Sequence, residues 1–356
     1  MSSLTSLNLT PTDSDVHVFR GARVTLRRTL ITCGVLLLVL LCAVVVTAML
    51  GSERLPFKES LCAVLSIGRA SCGLSVEQSA ILFEIRLPRI LLGAAVGASL
   101  ATAGAGYQAL LRNPLAEPYL LGISNGAAVG TMVALVFFGA REWSRPAMAF
   151  AGALIASFAV YRLARGRAGA SPERLILAGV IVTTFLSSAI VFITTLMDAT
   201  RIRSFTFWLL GDLSGATTRL LAVALLVSVI GVAVISAYAR PLNLLMLGEQ
   251  DAFDLGVEVG QVRLIVFLAA GLLVGASVAS SGSVGYVGLV VPHLVRLSLG
   301  SDNRMLIPAA ALSGGVFVIV ADTLARVLIA PRELPVGAIT ALIGAPLFIY
   351  LLKRGQ

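Results

Sequence analysis

Charged residues, lysines and histidines are all scarce in this chain of 356 residues. Charged residues make up 13% of the sequence and hydrophobic residues 58%, whereas soluble domains carry about a quarter charged and under about half apolar residues. Such a chain cannot cover itself with a water-compatible surface, so we predict an integral membrane protein. Because each spanning helix needs roughly 20 apolar residues, the chain has room for about ten spans and for no large soluble domain.

The low lysine count excludes a nucleotide-binding phosphate loop. Only Lys58 and Lys353 are lysines among the 27 basic residues, and they are followed by Glu59 and Arg354, so neither completes the motif GxxxxGK[ST]. The chain therefore lacks a Walker-type ATPase of its own. We attribute the net charge of +9 to arginines that flank membrane spans and not to nucleic-acid binding, since no basic run has interleaved aromatic residues.

Groups that could perform chemistry are equally few. The only histidines are His17 and His293, and the sequence has no Cys-x-x-Cys, His-Glu-x-x-His or clustered carboxylates. Asp322 is the clearest ionisable group within a span, but Arg326 follows four residues later on the same helical face, where each neutralises the other. We interpret this pair as structural. This interpretation argues against an ion-coupled carrier, which stays open as an alternative function. We expect a chain that is not an enzyme, that holds no resident cofactor and that takes its energy from a partner.

A repeat at half the chain length predicts the architecture. Shifting the sequence by 178 residues aligns the segment 93–122 with 271–300, and eleven of the thirty positions are identical, including Pro114 with Pro292. The copies are the second and seventh predicted spans, an offset of five, so they cross the bilayer in opposite directions. We predict an all-α integral membrane protein with about ten transmembrane helices and an inverted internal repeat, which transporters use for alternating access. The repeat halves are about 86–200 and 262–354.

Small residues recur at every fourth position within both copies of the repeat. They form a smooth stripe on one helix face that lets a neighbouring backbone approach closely. Their predicted role is helix packing and not chemistry. The glycines concerned are Gly93 and Gly97 in the first copy and Gly271 and Gly275 in the second.

The predicted domain organisation is a polar tail followed by one membrane domain. Residues 1–29 are polar and end in several arginines just before the first apolar run, and residues 30–354 form the ten-helix domain. The first run is too long for a signal peptide, so we expect a retained first helix. An even number of spans places both termini on one side, and the distribution of arginines weakly favours the cytoplasm.

Two segments between spans are candidates for contact with a partner. The first, at about 242–258, contains a short amphipathic helix bracketed by glycines, whose apolar side chains can dock in a groove while the acids stay in water. Its predicted contact residues are Leu247, Gly248, Glu249, Asp251, Phe253, Leu255 and Gly256. The second runs from Arg112 to Pro118, where prolines stop one helix before the next begins.

Four segments together resemble a known family. They are RLPRILLGAAVGASLATAGAGYQALLRNPLAEPYLLGISNGAAVG from Arg86, RPLNLLMLGEQDAFDLGV from Arg240, SGSVGYVGLVVPHLVR from Ser281 and ELPVGAITALIGAPLFIYLLKR from Glu333. This pattern is similar to the permease subunits of type II ABC importers, the FecCD family, whose members carry haem, ferric siderophores or cobalamin. The resemblance covers about residues 30–354.

The resemblance implies partners and roles that composition does not reveal. It implies a homodimer in the bacterial inner membrane, with two cytoplasmic ATPase subunits that use ATP and a periplasmic binding protein that delivers cargo. The segment around Gly248–Gly256 would then couple the permease to the ATPase. Arg86 and Arg326 match positions that meet acidic residues of the binding protein; without the resemblance, Arg86 is interpreted as an interfacial anchor. The expected cargo is haem or another iron chelate, with cobalamin as the alternative.

The aromatic pair Phe207 and Trp208 lies in a stretch too short to span a membrane, which the resemblance makes a partial helix near the outer mouth of the pathway. Two interpretations stand: contact with a flat apolar cargo, or anchoring at the membrane interface.

A second pair, Cys62 and Cys72, lies in an outer connection where a disulfide could close a short loop. Bonded and free thiols are both open alternatives there.

Overall fold

The computed structural model describes residues 25–51, 55–66, 72–138, 143–166 and 169–354, so most of the predicted polar tail lies outside the described residues. The helices are α1 Leu26–Met49, α2 Phe57–Leu65, α3 Val76–Ala80, α4 Leu87–Leu110, α5 Ile123–Phe137, α6 Ser144–Ala164, α7 Pro172–Thr194, α8 Ala199–Leu209, α9 Thr218–Ala237, α10 Ala239–Leu247, α11 Glu249–Asp254, α12 Val259–Ser281, α13 Val287–Leu299, α14 Asn303–Val327 and α15 Val336–Arg354.

Three shorter elements complete the described chain. A π-helical stretch, Ile81–Arg86, joins α3 to α4 in one continuous helix, and Pro118–Leu121 forms a 3₁₀ turn before α5. Strands β1 Arg165–Gly166 and β2 Gly169–Ala170 pair antiparallel between α6 and α7.

The prediction of about ten spans is confirmed. Within the described residues, seven helices are long and apolar enough to cross a membrane, with α3 and α4 counted as one, and α5, α13 and α15 are shorter apolar helices. Polar residues at their starts fix several boundaries: the side chains of Ser171, Asp198 and Thr217 accept the backbone N–H groups that open α7, α8 and α9. The protein is a multi-pass membrane protein.

Helix α4 lies at the centre of the fold and is buried along most of its length. It packs antiparallel to α14, with one contact for each turn of the helix. The contacts are Arg89 with Asp322, Gly93 with Val318, and Gly97 with Gly314. A Cβ on Gly97 would overlap the Gly314 carbonyl oxygen. A Cβ on Gly93 would lie 3.4 Å from Leu213, which is an ordinary contact. The close helix approach therefore depends on Gly97 more than on Gly93.

Helix α12 uses its own glycines against a different neighbour, α6. A Cβ on Gly271 would lie 2.5 Å from Oγ of Ser157, and a Cβ on Gly275 would lie 3.1 Å from Cβ of Ala153. These contacts agree with the packing role predicted for the small-residue stripe. Tyr107, near the end of α4, donates a hydrogen bond to the carbonyl of Phe267, near the start of α12, so the two repeat helices run in opposite directions.

The ungapped repeat alignment is wrong beyond these two helices. Pro114 lies in the irregular segment after α4, whereas its aligned partner Pro292 lies inside α13. Similarly, Gly122 precedes α5 while Gly300 follows α13. The physical reason is that one copy continues as a helix where the other is interrupted, so the later spans correspond only after a gap is introduced.

Candidate functional site

The predicted coupling segment folds as two short helices, α10 and α11, at the end of the molecule where α4, α9 and α13 finish. As predicted from the sequence, α11 is bracketed by Gly248 and Gly256. Gly248 has φ +153° and Gly256 has φ +84°, and both values disfavour residues with a side chain. The chain therefore turns sharply before and after α11, which projects that helix as a separate unit.

A buried arginine attaches α11 to the membrane domain. Nη2 of Arg263 lies 2.6 Å from Oε1 of Glu249, and its Nη1 donates to the carbonyl of Ala170 on β2. Arg263 is only 5% exposed. Arg112, after α4, adds a longer ion pair of 3.7 Å to the same Glu249 oxygen. Arg263 is thus the point where α11, α12 and the β-hairpin meet.

The outward face of this segment carries large apolar side chains among polar and acidic ones. Leu247, Phe253 and Leu255 are all exposed, with Phe253 at 66%, while Ala252 faces inward and is fully buried. Gln250 and Asp254 bond to each other across one turn of α11. We name Leu247, Phe253 and Leu255 the coupling surface; these exposed apolar side chains lie on α10, on α11 and directly after α11, near the exposed acids Asp251 and Asp254. Its contact with an ATPase remains a prediction.

Asp302 fixes α10 to the start of α14. Its carboxylate accepts hydrogen bonds from Arg304 and from Nδ2 of Asn243, and Oδ1 of Asn243 accepts the Asn303 N–H. The hydrogen bonds from Arg304 lower the pKa of Asp302 to about 2, against an opposing effect of partial burial. The two ends of the coupling segment are therefore held by ion pairs and hydrogen bonds on two different helices.

The second predicted partner segment, from Arg112 to Pro118, is exposed at Arg112, Pro114 and Leu115 and turns inward at its end. Glu117 Oε1 accepts the Tyr286 N–H at 3.2 Å. The Tyr119 hydroxyl donates to the carbonyl of Val284 and accepts its N–H. Irregular backbone within a membrane domain must be satisfied by the protein itself. Glu117 and the neighbouring Tyr119 supply those bonds to the break between α12 and α13. The exposed first part of the segment leaves its contact with a partner as a prediction.

The connection from α8 to α9 reaches the same break. The backbone carbonyl of Ser281 accepts the Asp212 N–H at 2.8 Å. The carbonyls of Leu210 and Gly211 accept the N–H groups of Gly337 and Val336, respectively, at the start of α15. Three non-helical stretches therefore meet inside the helix bundle. Discontinuous helices of this kind line the pathways of many transporters.

The end of the molecule opposite the coupling surface contains a buried ion network. Asp322, 2% exposed at its side chain, lies 2.9 Å from Nη2 of Arg89 and 3.1 Å from Nε of Arg326. Glu333, 46% exposed, lies 2.8 Å from Nη1 of Arg89. The predicted ion pair of Asp322 and Arg326 is confirmed. Sequence reasoning missed Arg89 and Glu333, although Arg89 continues the four-residue row of Gly93 and Gly97.

Arg86 and Arg326 have structural partners instead of open surface. Nη1 of Arg86 donates to the carbonyl of Ala48, and Nη1 of Arg326 donates to that of Leu50. The two arginines are 5% and 6% exposed. They satisfy carbonyls that the end of α1 leaves without intrahelical partners. This placement disagrees with direct docking of a binding protein in this conformation, and the docking role remains a prediction.

The structure also shows where the predicted cysteine pair and the predicted aromatic pair lie. Cys62 and Cys72 form a disulfide with a Cα–Cα distance of 5.8 Å, so the structure shows the bonded alternative. Phe207 and Trp208 lie on the partial helix α8 and line a cavity of about 550 Å³ with α6, α9 and α12. Cargo contact and interfacial anchoring of this aromatic pair both remain predictions.

Comparison with known proteins places this arrangement in a family. The model of the FecCD transport family matches residues 36–354. The cobalamin import system permease protein BtuC of Halobacterium salinarum is 45% identical over 79% of this chain and 75% of its own length. The hemin transport system permease protein HmuU of Yersinia pestis is 43% identical over 76% of this chain and 82% of its own.

A solved structure agrees with this placement. A chain described as a metal-chelate-type ABC transporter in an inward-facing conformation superposes with a TM-score of 0.78 and 31% identity, covering 92% of this chain and 99% of that chain. The family model covers nearly the whole ten-helix domain, and the relatives are named permeases. This chain is a membrane-embedded permease that belongs to the FecCD transport family.

Proposed function

We propose that this chain is the transmembrane subunit of an ATP-driven importer that moves a chelated cofactor into the cytoplasm by alternating access. Two copies form the pathway, two cytoplasmic ATPase subunits bind below, and a periplasmic protein delivers cargo from outside. The proposal places the chain in a bacterial inner membrane with both termini in the cytoplasm. The coupling surface then faces the cytoplasm, and the ion network faces the periplasm.

The observation that carries this proposal is the coupling surface and its attachment. A water-exposed patch of Leu247, Phe253 and Leu255 fits a groove on a soluble partner, since apolar side chains at the centre of a protein interface contribute most of its affinity. The link from Glu249 to Arg263 carries any displacement of α11 directly to α12. An ion-coupled carrier would need neither feature.

The proposed cargo is haem or another iron chelate. The similarity to a hemin transport permease supports this choice. Cobalamin is the second candidate, because relatives of comparable identity are named cobalamin or vitamin B12 permeases. Both are large metal chelates, so the same mechanical pathway suits either. The cargo is carried as substrate and not held as a cofactor.

Reconstitution tests the proposal. The chain is inserted in liposomes together with the ATPase and binding protein encoded beside it, and uptake of haem and of cobalamin is followed with ATP or a non-hydrolysable analogue. We expect uptake of one cargo only with ATP, the ATPase and the binding protein all present. Uptake that ignores ATP and follows an imposed ion gradient would instead establish the ion-coupled carrier.

The docking face is part of the same proposal. Binding-protein docking through Arg86 and Arg326 requires both guanidinium groups to leave the carbonyls at the end of α1, which a conformational change during the cycle could allow. We expect Arg86→Glu and Arg326→Glu to weaken docking in a salt-sensitive manner. Unchanged affinity in both variants, with intact melting temperatures, would exclude a docking role.

A further inference from the structure

The structure contains a groove between α6 and α9 that the transport proposal does not use. Both helices pack against α12, and the face of α12 between them carries the small residues Ala276, Ala279 and Ser280. Because these side chains are short, the two flanking helices leave an open slot of about 230 Å³. Phe150 of α6 and Val227 of α9 form opposite walls of this slot.

The slot opens at one end into the cavity of about 550 Å³ beside α8, since Trp143, Pro146 and Leu220 line both. The shared end lies at the N-termini of α6 and α9 and the C-terminus of α12, which is the end opposite the coupling surface. Polar and apolar compartments therefore follow each other along the membrane normal. A polar compartment followed by an apolar one matches the headgroup and the acyl chain of one lipid.

The dimensions agree with a single leaflet. Val227 lies nine residues after Thr218, and at a rise of about 1.5 Å per residue the slot descends roughly 14 Å below the start of α9. Half of a hydrocarbon core that is about 30 Å thick is about 15 Å. An acyl chain from that leaflet therefore reaches the bottom of the slot.

The polar cavity favours a negatively charged head. Arg145, in the first turn of α6, and Arg203, on α8, both line it and are exposed. Neither forms a salt bridge with an acidic residue in the described part of the chain, and Arg203 lies over the ring of Phe207. The acidic group in the lining, Asp212, already accepts the N–H and hydroxyl of Ser214. Two guanidinium groups above an apolar slot are the features that recognise a phosphate on an acyl-chain anchor.

We propose that this groove binds one anionic phospholipid of the phosphatidylglycerol type, with its phosphate between Arg145 and Arg203 and one acyl chain between α6 and α9. Trp143, Trp208 and Phe207 then surround the headgroup as interfacial aromatic residues. This assignment selects the interfacial interpretation of Phe207 and Trp208 over cargo contact. The bound lipid fills the gap that the small residues of α12 leave, so it supports the packing of α6 and α9.

The chain provides its own reporter for this site. Trp143 and Trp208 are its only two tryptophans, and both line the cavity. Bromine on an acyl chain quenches indole fluorescence on contact. The full-length chain is reconstituted in phosphatidylcholine vesicles and titrated with brominated phosphatidylglycerol or brominated phosphatidylcholine. We expect brominated phosphatidylglycerol to quench at a mole fraction about tenfold lower than brominated phosphatidylcholine, because two arginines favour the anionic head.

Matched variants separate headgroup recognition from slot filling. In the double variant Arg145→Ala and Arg203→Ala, the mole fractions at which the two brominated lipids quench should differ by no more than about twofold. The control is Arg219→Ala, which changes an exposed arginine at the same end of α9 that does not line the cavity. This control should keep the full preference for phosphatidylglycerol. Ala276→Phe should reduce quenching by both lipids. Thermal melting of each variant verifies its fold.

Three outcomes would overturn the proposal. Equal quenching of the unmodified chain by both lipids would show that the head is not recognised. Quenching by neither lipid would show that a second copy or another segment covers the groove. Stoichiometric displacement of brominated phosphatidylglycerol by added haemin would assign the cavity to cargo.

Discussion

Arg263 and Glu249 are fourteen residues apart in the sequence, and their side chains lie 2.6 Å apart at the junction of α12 and α11. Arg263 also donates to the β2 carbonyl of Ala170, so one buried cation joins three elements. Ion pairs with one buried partner hold geometry better than fully exposed pairs, which contribute little. This pair is the physical link between the coupling surface and the transmembrane helices.

The first prediction concerns that link. Glu249→Gln keeps the shape of the side chain and removes its charge, so α11 should become looser while the ATPase still binds. We expect ATP hydrolysis to persist and the amount of cargo moved for each ATP to fall severalfold. The matched control is Asp254→Asn, on the same helix, whose recorded side-chain bond is to Gln250. An unchanged ratio of transport to hydrolysis in Glu249→Gln would show that the ion pair is not required for coupling.

The second prediction addresses the coupling surface itself. Phe253→Ser removes an exposed aromatic side chain, so folding should be unaffected while affinity for the ATPase falls by about 2 kcal/mol, roughly thirtyfold. Leu65→Ser is the control, because Leu65 is 70% exposed at the opposite end of the molecule. Co-purification and titration of the detergent-solubilised complex measure the difference. Equal losses in the two variants would remove Phe253 from the interface.

The third prediction tests the helix contact at the centre of the fold. Gly97→Ala places a methyl group against the Gly314 carbonyl and forces α4 and α14 apart, which should cost about 2 kcal/mol or more. Gly93→Ala, one turn away on the same face, should cost little, and Gly34→Ala has nothing within 4 Å of its added Cβ. Thermal melting compares all three. Equal melting temperatures for Gly97→Ala and Gly34→Ala would contradict the observed packing.

The fourth prediction compares the two acids of the ion network. Asp322→Asn leaves Arg89 and Arg326 buried without their common counter-charge, so we expect a loss of about 3–5 kcal/mol. Glu333→Gln should cost less than about 1 kcal/mol, because Glu333 is nearly half exposed and its pair is screened by solvent. Chemical denaturation in detergent measures both. A larger effect at Glu333 would reverse this assignment of roles.

The fifth prediction is a pH dependence at Asp302. Its pKa in the folded protein is about 2, below the ordinary value of 3.8, so the folded state favours the ionised carboxylate. The stability it contributes is present above about pH 4 and is lost as the pH falls towards 2. We expect Asp302→Asn to melt lower than the unmodified chain at pH 5–7, with the gap closing between about pH 4 and 2. A gap that does not change over that range would exclude the carboxylate as its source.

Much of the local structure was predictable from the sequence. Bracketing glycines located both ends of α11, and the apolar composition predicted the approximate number of spans. The repeat was predicted correctly only for α4 and α12. Identical Gly and Pro residues do not reveal where the helix of one copy is interrupted while that of the other continues. Tyr119 was overlooked, since its pairing with the backbone of Val284 joins residues 165 positions apart.

The sequence by itself determined that this protein lies in a membrane, that it contains about ten spans and no phosphate loop, and that Gly248 to Gly256 forms a projecting helix. These features follow from composition and short-range periodicity, which act within one helix. Only the tertiary structure decided that Arg86 and Arg326 are buried against α1, that Arg89 shares Asp322, and that both tryptophans line one cavity. Such relationships depend on which helices become neighbours, and that is set by long-range packing of small residues such as Gly97 and Gly314.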